Sequence, residues 1–169
     1  MVVRRYHSNW GVEIELKVAL RPRDVTLLGA TAAFKAMQSG PATRKTLRAT
    51  YFDTPTLALS KRAISLRVRK ESRRFVQCVK ASSEPSVGAG FARREWEWAV
   101  KGADLDRERL TRDADVKALF KGIASKKLQP IFSTEITRES RQLVTPGGAQ
   151  VQCDIDRGRG VSGERETPI

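Results

Sequence analysis

Several residue types on which catalytic and structural sites often depend are scarce in this sequence. It has two cysteines and one histidine among 169 residues. Cys78 and Cys153 lie far apart and fit no Cys-x-x-Cys or Cys/His spacing, so neither a zinc site nor a disulfide framework is expected. His7 lies close to the N-terminus, which argues against a Ser-His catalytic pair. This use of cysteine is typical of a reducing compartment, and we expect a cytoplasmic protein.

Long hydrophobic runs are also missing. No apolar stretch approaches the roughly 20 residues that a membrane-spanning helix needs. The N-terminal sequence MVVRRYHSNW lacks the apolar centre of a signal peptide. We therefore expect a soluble protein with no membrane partner.

Negative charge is in short supply, with 19 acidic residues against 32 lysines and arginines and a formal net charge of +13. Such an excess attracts anions, whether nucleic acid, an anionic membrane or a phosphorylated small molecule. Net charge alone does not choose among these partners.

The length of 169 residues suits a single domain.

Apolar and polar residues alternate with a period of two along most of the chain, which predicts β-strands. Two stretches, 21–38 and 104–125, have helical spacing instead. The sequence therefore predicts a mainly β (α+β) fold, an antiparallel β-barrel with its helices packed outside. The strand candidates are 12–20, 42–54, 63–72, 73–82, 91–101, 128–145 and 149–156. Asp53, beside the Thr54-Pro55 turn, is expected to accept hydrogen bonds from nearby backbone N–H groups.

Most of these strands have one apolar face and one charged face. A sheet with a solvated outer surface is the usual explanation of such alternation. Two features favour a charged interior here: the helices need the apolar face, and the charges are separated by sign between strands. The residues that share the charged faces include Glu13, Glu15, Lys17, Arg67, Arg69, Lys80, Arg93, Glu95, Glu97, Arg138, Asp154 and Asp156.

A charged lumen is costly unless it holds partners for its charges. Carboxylates bind hard cations such as Mg²⁺ or Mn²⁺ through oxygen, and arginine and lysine bind phosphate oxygens. This division of roles is the one that phosphoryl transfer requires.

The motif VEIELK, residues 12–17, resembles the E-x-E-x-K signature of the CYTH superfamily, the triphosphate tunnel metalloenzymes. It is followed in order by YFDTP, ISLRVRKE, VQCVK, RREWEW, LQPIFSTEITRES and DIDRG. The ordered set is specific and is most similar to the bacterial inorganic triphosphatase type. It covers residues 11–169, which predicts one domain there and an N-terminal tail at residues 1–10.

The resemblance implies metal-dependent hydrolysis of the terminal phosphate of inorganic triphosphate or of a triphosphorylated small molecule. It implies catalytic roles for Lys17 and Glu15. It implies metal binding by Glu13, Glu15, Glu95, Glu97 and Asp156, and triphosphate binding by Lys17, Arg67, Arg69, Lys80, Arg93 and Arg138.

The sequence departs from the family pattern at its C-terminal end. It stops at Ile169, before a further E-x-E strand and a final strand that the family has. We therefore expect an incomplete barrel, which is either a half-open groove or part of a homodimer in which a second copy covers the open edge. A polyphosphate- or nucleotide-binding module without turnover is the alternative function, and a nucleic-acid-binding protein is a weaker one.

Overall fold

The computed structural model describes residues 2–6, 13–82, 93–162 and 165–168. Within these residues the chain forms nine strands, four short helices and a 3₁₀ turn at Ser60–Arg62. The elements are β1 (Val2–Tyr6), β2 (Glu13–Lys17), α1 (Pro22–Ala30), α2 (Ala32–Met37), β3 (Thr43–Asp53), β4 (Ile64–Glu71), β5 (Arg74–Ser82), β6 (Arg93–Val100), α3 (Arg109–Arg112), α4 (Ala114–Leu119), β7 (Gln129–Val144), β8 (Gln150–Ser162) and β9 (Arg165–Pro168).

The strands pair in the order β2-β1-β8-β7-β3-β4-β5-β6, and β9 pairs with β8. The pairs β1–β2, β1–β8, β3–β4, β4–β5, β5–β6 and β8–β9 are antiparallel. Among the described strands no pairing joins β2 to β6, so the order is linear rather than circular. The predicted mainly β fold is confirmed, and the linear order agrees with an incomplete barrel.

The N-terminal residues differ from the predicted tail. Val2–Tyr6 form β1, which pairs with β2 on one side and with β8 on the other. A strand in that position has backbone partners on both edges, so its N–H and C=O groups are hydrogen-bonded. The sequence pattern does not reveal this pairing. Met1 and residues 7–10 of the predicted tail lie outside the described residues.

The chain comprises two compact units. The first contains the described parts of Met1–Thr46 and Ile136–Gly158. In it, α1 and α2 pack on one face of β7 and β8. Phe34 is buried with Leu143, Val151, Cys153 and Ile155, and Val25, Leu28 and Met37 pack against this cluster.

The second unit contains the described parts of Leu47–Glu135 and Arg159–Pro168. Its core joins strand residues such as Leu66 and Val79 to Val116 of α4 and to Phe120 and Ile123 just after it. The core includes residues from one face of β3, β4, β5 and β6, so the alternate residues of these strands lie on the face opposite the helices.

Asp53 is the last residue of β3 and has the role in the turn that the sequence predicts. Its carboxylate accepts hydrogen bonds from the backbone N–H groups of Thr54, Leu59 and Ser60 at 2.6–2.9 Å. The side chain is buried, so it organises the turn that leads into β4. No helix of the described residues has the length and apolar character to cross a membrane.

Candidate active site

The strand register of the second unit collects charged residues on the face opposite the helices. Tyr51 pairs with Arg67, Arg67 with Cys78, and Cys78 with Glu97, in one row across four strands. The adjacent row pairs Lys80 with Glu95. Residues directly opposite one another on neighbouring strands share a sheet face. The predicted site residues Arg67, Arg69, Lys80, Glu95 and Glu97 are therefore neighbours, and we call them the charged cluster.

Direct contacts join the cations of the charged cluster to its carboxylates. Lys80 Nζ donates to Glu95 Oε2 at 2.8 Å, and Arg69 Nη2 donates to Glu97 Oε1 at 3.2 Å. Arg69 Nε also lies 2.6 Å from Glu71 Oε1, although the angle is not that of a hydrogen bond. The carboxylates are thus held in fixed positions while they remain partly open to solvent.

Arg67 is a half-buried cation of the cluster. Its Nη1 donates to the Tyr51 hydroxyl at 3.2 Å, and its buried Nε has no hydrogen-bond partner. Tyr51 stacks on Phe132, with ring centroids 4.3 Å apart. A buried guanidinium N–H without a partner is uncommon and leaves a donor available to an anion.

Cys78 contributes a thiol to the same face. Burial is the main cause that raises its pKa to about 12. The hydrogen bond to Glu95 acts in the same direction, and the charge of Arg67 opposes it. The protonated Sγ donates to Glu95 Oε1 at 3.2 Å. Burial works against the charge of Glu95, yet hydrogen bonds from Lys80 and Cys78 hold its pKa below the usual range. Glu95 is therefore an ionised carboxylate at neutral pH.

The arrangement of Glu95 and Glu97 suits a divalent cation. One carboxylate oxygen of each lies within 4.8 Å of the other and of Cys78 Sγ. Because the thiol keeps its proton near neutral pH, the two carboxylates are the usable ligands. Oxygen donors of this kind match the preference of Mg²⁺ and Mn²⁺.

The first unit has its own charged face, on the side of β8 opposite its helices. Arg138 Nε and Nη2 donate to the two carboxylate oxygens of Asp156, each at 2.7 Å. Its Nη1 lies 3.3 Å from Asp154, which is fully buried and accepts from Ser140 Oγ at 2.6 Å. The structure therefore pairs the predicted phosphate ligand Arg138 with the predicted metal ligand Asp156.

The strand register connects β2 to β8 through β1 in the first unit. Glu15 pairs with Arg4, which pairs with Gln152, and Lys17 pairs with Val2, which pairs with Asp154. The side chains of Glu13, Glu15 and Lys17 lie outside the described residues, as does that of Arg93. Their predicted roles stay predictions.

Sequence patterns alone missed two neighbours of the charged cluster. Tyr51 and Cys78 contact Arg67 and Glu95, but neither residue type signals a phosphate or metal site by itself. Parity puts Cys78 on the face of Lys80. Only the register across β3, β4, β5 and β6 shows which side chains it meets.

Comparison with known proteins decides the family. Residues 11–166 match the CYTH domain. The chain belongs to the CYTH family. The resemblance inferred from the order of its motifs is therefore confirmed.

Among CYTH relatives, the chain is 30% identical over 160 residues to an inorganic triphosphatase of Haemophilus influenzae. That match covers 93% of this chain and 43% of the relative, so the chain spans less than half the length of that protein.

Two solved structures resemble the chain at lower identity. One is a Hippeastrum protein assigned as an adenylyl cyclase, with a dominant triphosphatase activity. It shares 14% identity and a TM-score of 0.47, over 92% of this chain and 77% of that one. The other, assigned as an adenylate cyclase of Bacillus halodurans, shares 15% identity and a TM-score of 0.45, over 86% and 69%.

Proposed function

We propose that this CYTH chain hydrolyses the terminal phosphate of inorganic triphosphate or of a triphosphorylated small molecule, with Mg²⁺ or Mn²⁺. Membership of the family and the likeness to an inorganic triphosphatase support this reaction class. The observation that carries the proposal is the charged cluster, where three cations and two carboxylates share one face.

The cations of the cluster are proposed to bind the phosphate chain. Arg67 has an unpartnered Nε, and the Lys80 ammonium has more N–H donors than its contact with Glu95 uses. Charge-assisted hydrogen bonds to phosphate are among the strong ones. A polyanion can therefore replace carboxylate partners of Lys80 and Arg69 without leaving either cation unpaired.

Glu95 and Glu97 are proposed to hold the divalent cation. When bound, it would neutralise charge on phosphate oxygens and lower the pKa of a water molecule. The chain prepares the carboxylates for this role, because Cys78 and Lys80 fix Glu95 and keep it ionised. When Lys80 binds phosphate instead of Glu95, Glu95 Oε2 becomes available as a metal ligand.

The remaining predicted roles are proposed on the ground of the family resemblance alone. Glu13, Glu15 and Asp156 are proposed as metal ligands, Lys17 and Glu15 as the groups that act on the attacking water, and Arg93 and Arg138 as phosphate ligands. Both oxygens of Asp156 accept from Arg138, so a metal role for Asp156 requires Arg138 to release one of them. The homodimer and the cytoplasmic location stay predictions.

Phosphate release from tripolyphosphate, ATP and thiamine triphosphate, each with Mg²⁺ and with Mn²⁺, tests the function. Lys80→Gln is expected to lower release by about 10- to 100-fold, because it removes a charge-assisted contact. Lys61→Gln, which changes an exposed lysine of the 3₁₀ turn in the same unit, is the matched control.

Two other results would point to other functions. Tight tripolyphosphate binding without phosphate release would identify a binding module instead of an enzyme. Salt-sensitive binding to duplex DNA that tripolyphosphate does not displace would favour a nucleic-acid-binding protein.

A further inference from the structure

The second unit contains a cavity of about 340 Å³ that the proposed reaction does not use. Its walls include Arg48 and Lys70, which pair across β3 and β4, and Phe75, which pairs with Lys70 on β5. These residues alternate with those of the charged cluster, so they lie on the other sheet face. The volume is that of a small-molecule site.

The lining of the cavity has an excess of positive charge. Among the described residues that line the cavity, Arg48, Lys70 and Arg159 are the cations and Glu135 is the one carboxylate. Arg48 Nε donates to Glu135 Oε2 at 2.6 Å, which fixes the guanidinium at the cavity wall. The hydrogen bond from Arg48, its charge and that of Arg159 hold the pKa of Glu135 below its usual range. At neutral pH three cations therefore stand against one anion, which favours an anionic ligand.

One wall of the cavity is apolar. Val68 is 3% exposed, and Phe75 packs against the core of the second unit. Lys70 Nζ lies 5.7 Å from the centroid of the Phe75 ring, a cation–π distance. Lys70 is therefore positioned where the apolar wall meets the charged rim.

We propose that this cavity is a binding site for a small organic phosphate. The phosphate is held by Lys70, Arg48 and Arg159, and the apolar or planar body of the ligand packs on Phe75 and Val68. A bare phosphate ion would leave that wall without a partner, so an organic ester fits the lining better. The site lies on the sheet face opposite the charged cluster and does not depend on triphosphate hydrolysis.

Calorimetric titration with phenyl phosphate, in parallel with inorganic phosphate, tests the site. Phenyl phosphate is expected to bind about tenfold more tightly, because its ring removes apolar surface from water. Lys70→Gln is expected to weaken it by about five- to tenfold, and Lys70→Arg to retain it, since the charge is kept. Lys61→Gln is the matched control.

Two results would each overturn the proposal. They are equal affinity for inorganic and phenyl phosphate, and loss of binding in Arg67→Gln but not in Lys70→Gln. Lys70 is exposed, so its variants are expected to fold, and circular dichroism checks this. Phosphate release from tripolyphosphate is measured on the same variants. Because Lys70→Gln is expected to leave that release unchanged, failure of either proposal is recognised separately.

Discussion

Glu95 shows how single side chains set the properties of the candidate active site. It accepts from a thiol on one oxygen and from an ammonium on the other, so both its position and its charge are fixed. Because the pKa of Glu95 is lowered in the folded protein, the stability that its ionised form contributes is fully present above the ordinary pKa of glutamate. It is lost as pH falls through the lowered value. The Lys80–Glu95 pair therefore persists in mild acid.

Glu95→Gln is expected to lower metal-dependent phosphate release by about 100-fold, because a neutral amide cannot replace the carboxylate as a metal ligand. Release is measured over a series of Mg²⁺ and Mn²⁺ concentrations. Glu108→Gln is the control, since Glu108 is an exposed glutamate paired with Arg112. Equal activity of the two variants would remove Glu95 from the proposed metal site.

Both cysteine thiols are expected to resist modification in the folded protein. Cys78 and Cys153 are buried and free, and burial raises the pKa of each, to about 12 for Cys78. Since the thiolate is the reactive form, a disulfide reagent at mildly alkaline pH should react quickly only after urea is added. Rapid reaction of native protein would contradict the buried positions. Cys78→Ser and Cys153→Ser variants show which thiol reacts.

At the scale of elements, the turn after β3 depends on one carboxylate. Asp53→Ala removes the acceptor for three backbone N–H groups and leaves them in a buried turn. The free energy of unfolding should fall by about 2–4 kcal/mol, measured by urea denaturation. Asp104→Ala, at an exposed aspartate, should change it by less than about 0.5 kcal/mol. Similar losses in both variants would show that Asp53 does not organise the turn.

The sequence predicts the presence of the helices better than the residues at which they begin and end. Both helical stretches are found, but each is divided by a residue that begins a new helix. Thr31 accepts from the N–H of Phe34, and Asp113 accepts from those of Asp115 and Val116. Such capping residues also fit the middle of an amphipathic pattern, so periodicity alone does not place the break.

The residue that lies opposite a given residue on the neighbouring strand is harder to infer from the sequence than the sheet face on which that residue lies. Parity correctly groups Arg67 and Arg69 on one face of β4, yet the meeting of Arg67 with Cys78 depends on the β4–β5 register. A two-residue loop sets that register, with Ser72 at a φ of 54° where glycine is favoured. Neither Ser72 nor Arg73 is a typical residue for that turn. The pairing of Arg67 with Cys78 could therefore not be inferred from the sequence.

At the scale of the whole molecule, the net charge of +13 should make anion binding sensitive to salt. The Kd for tripolyphosphate is expected to rise severalfold between low and physiological ionic strength, measured by calorimetry. Sucrose in place of salt is the control, because it does not screen charge. An affinity independent of ionic strength would show that the positive field of the chain does not contribute.

Strand β6 carries Glu95 and Glu97 on one face and Trp96 and Trp98 on the other, with both indoles packed against the core of the second unit. Any event that shifts the backbone of β6 at the carboxylates also moves the indoles attached to the same strand. In a Trp10→Phe background, their emission is therefore a label-free optical signal from within β6, by which ligand titrations and stopped-flow kinetics can be followed without a dye.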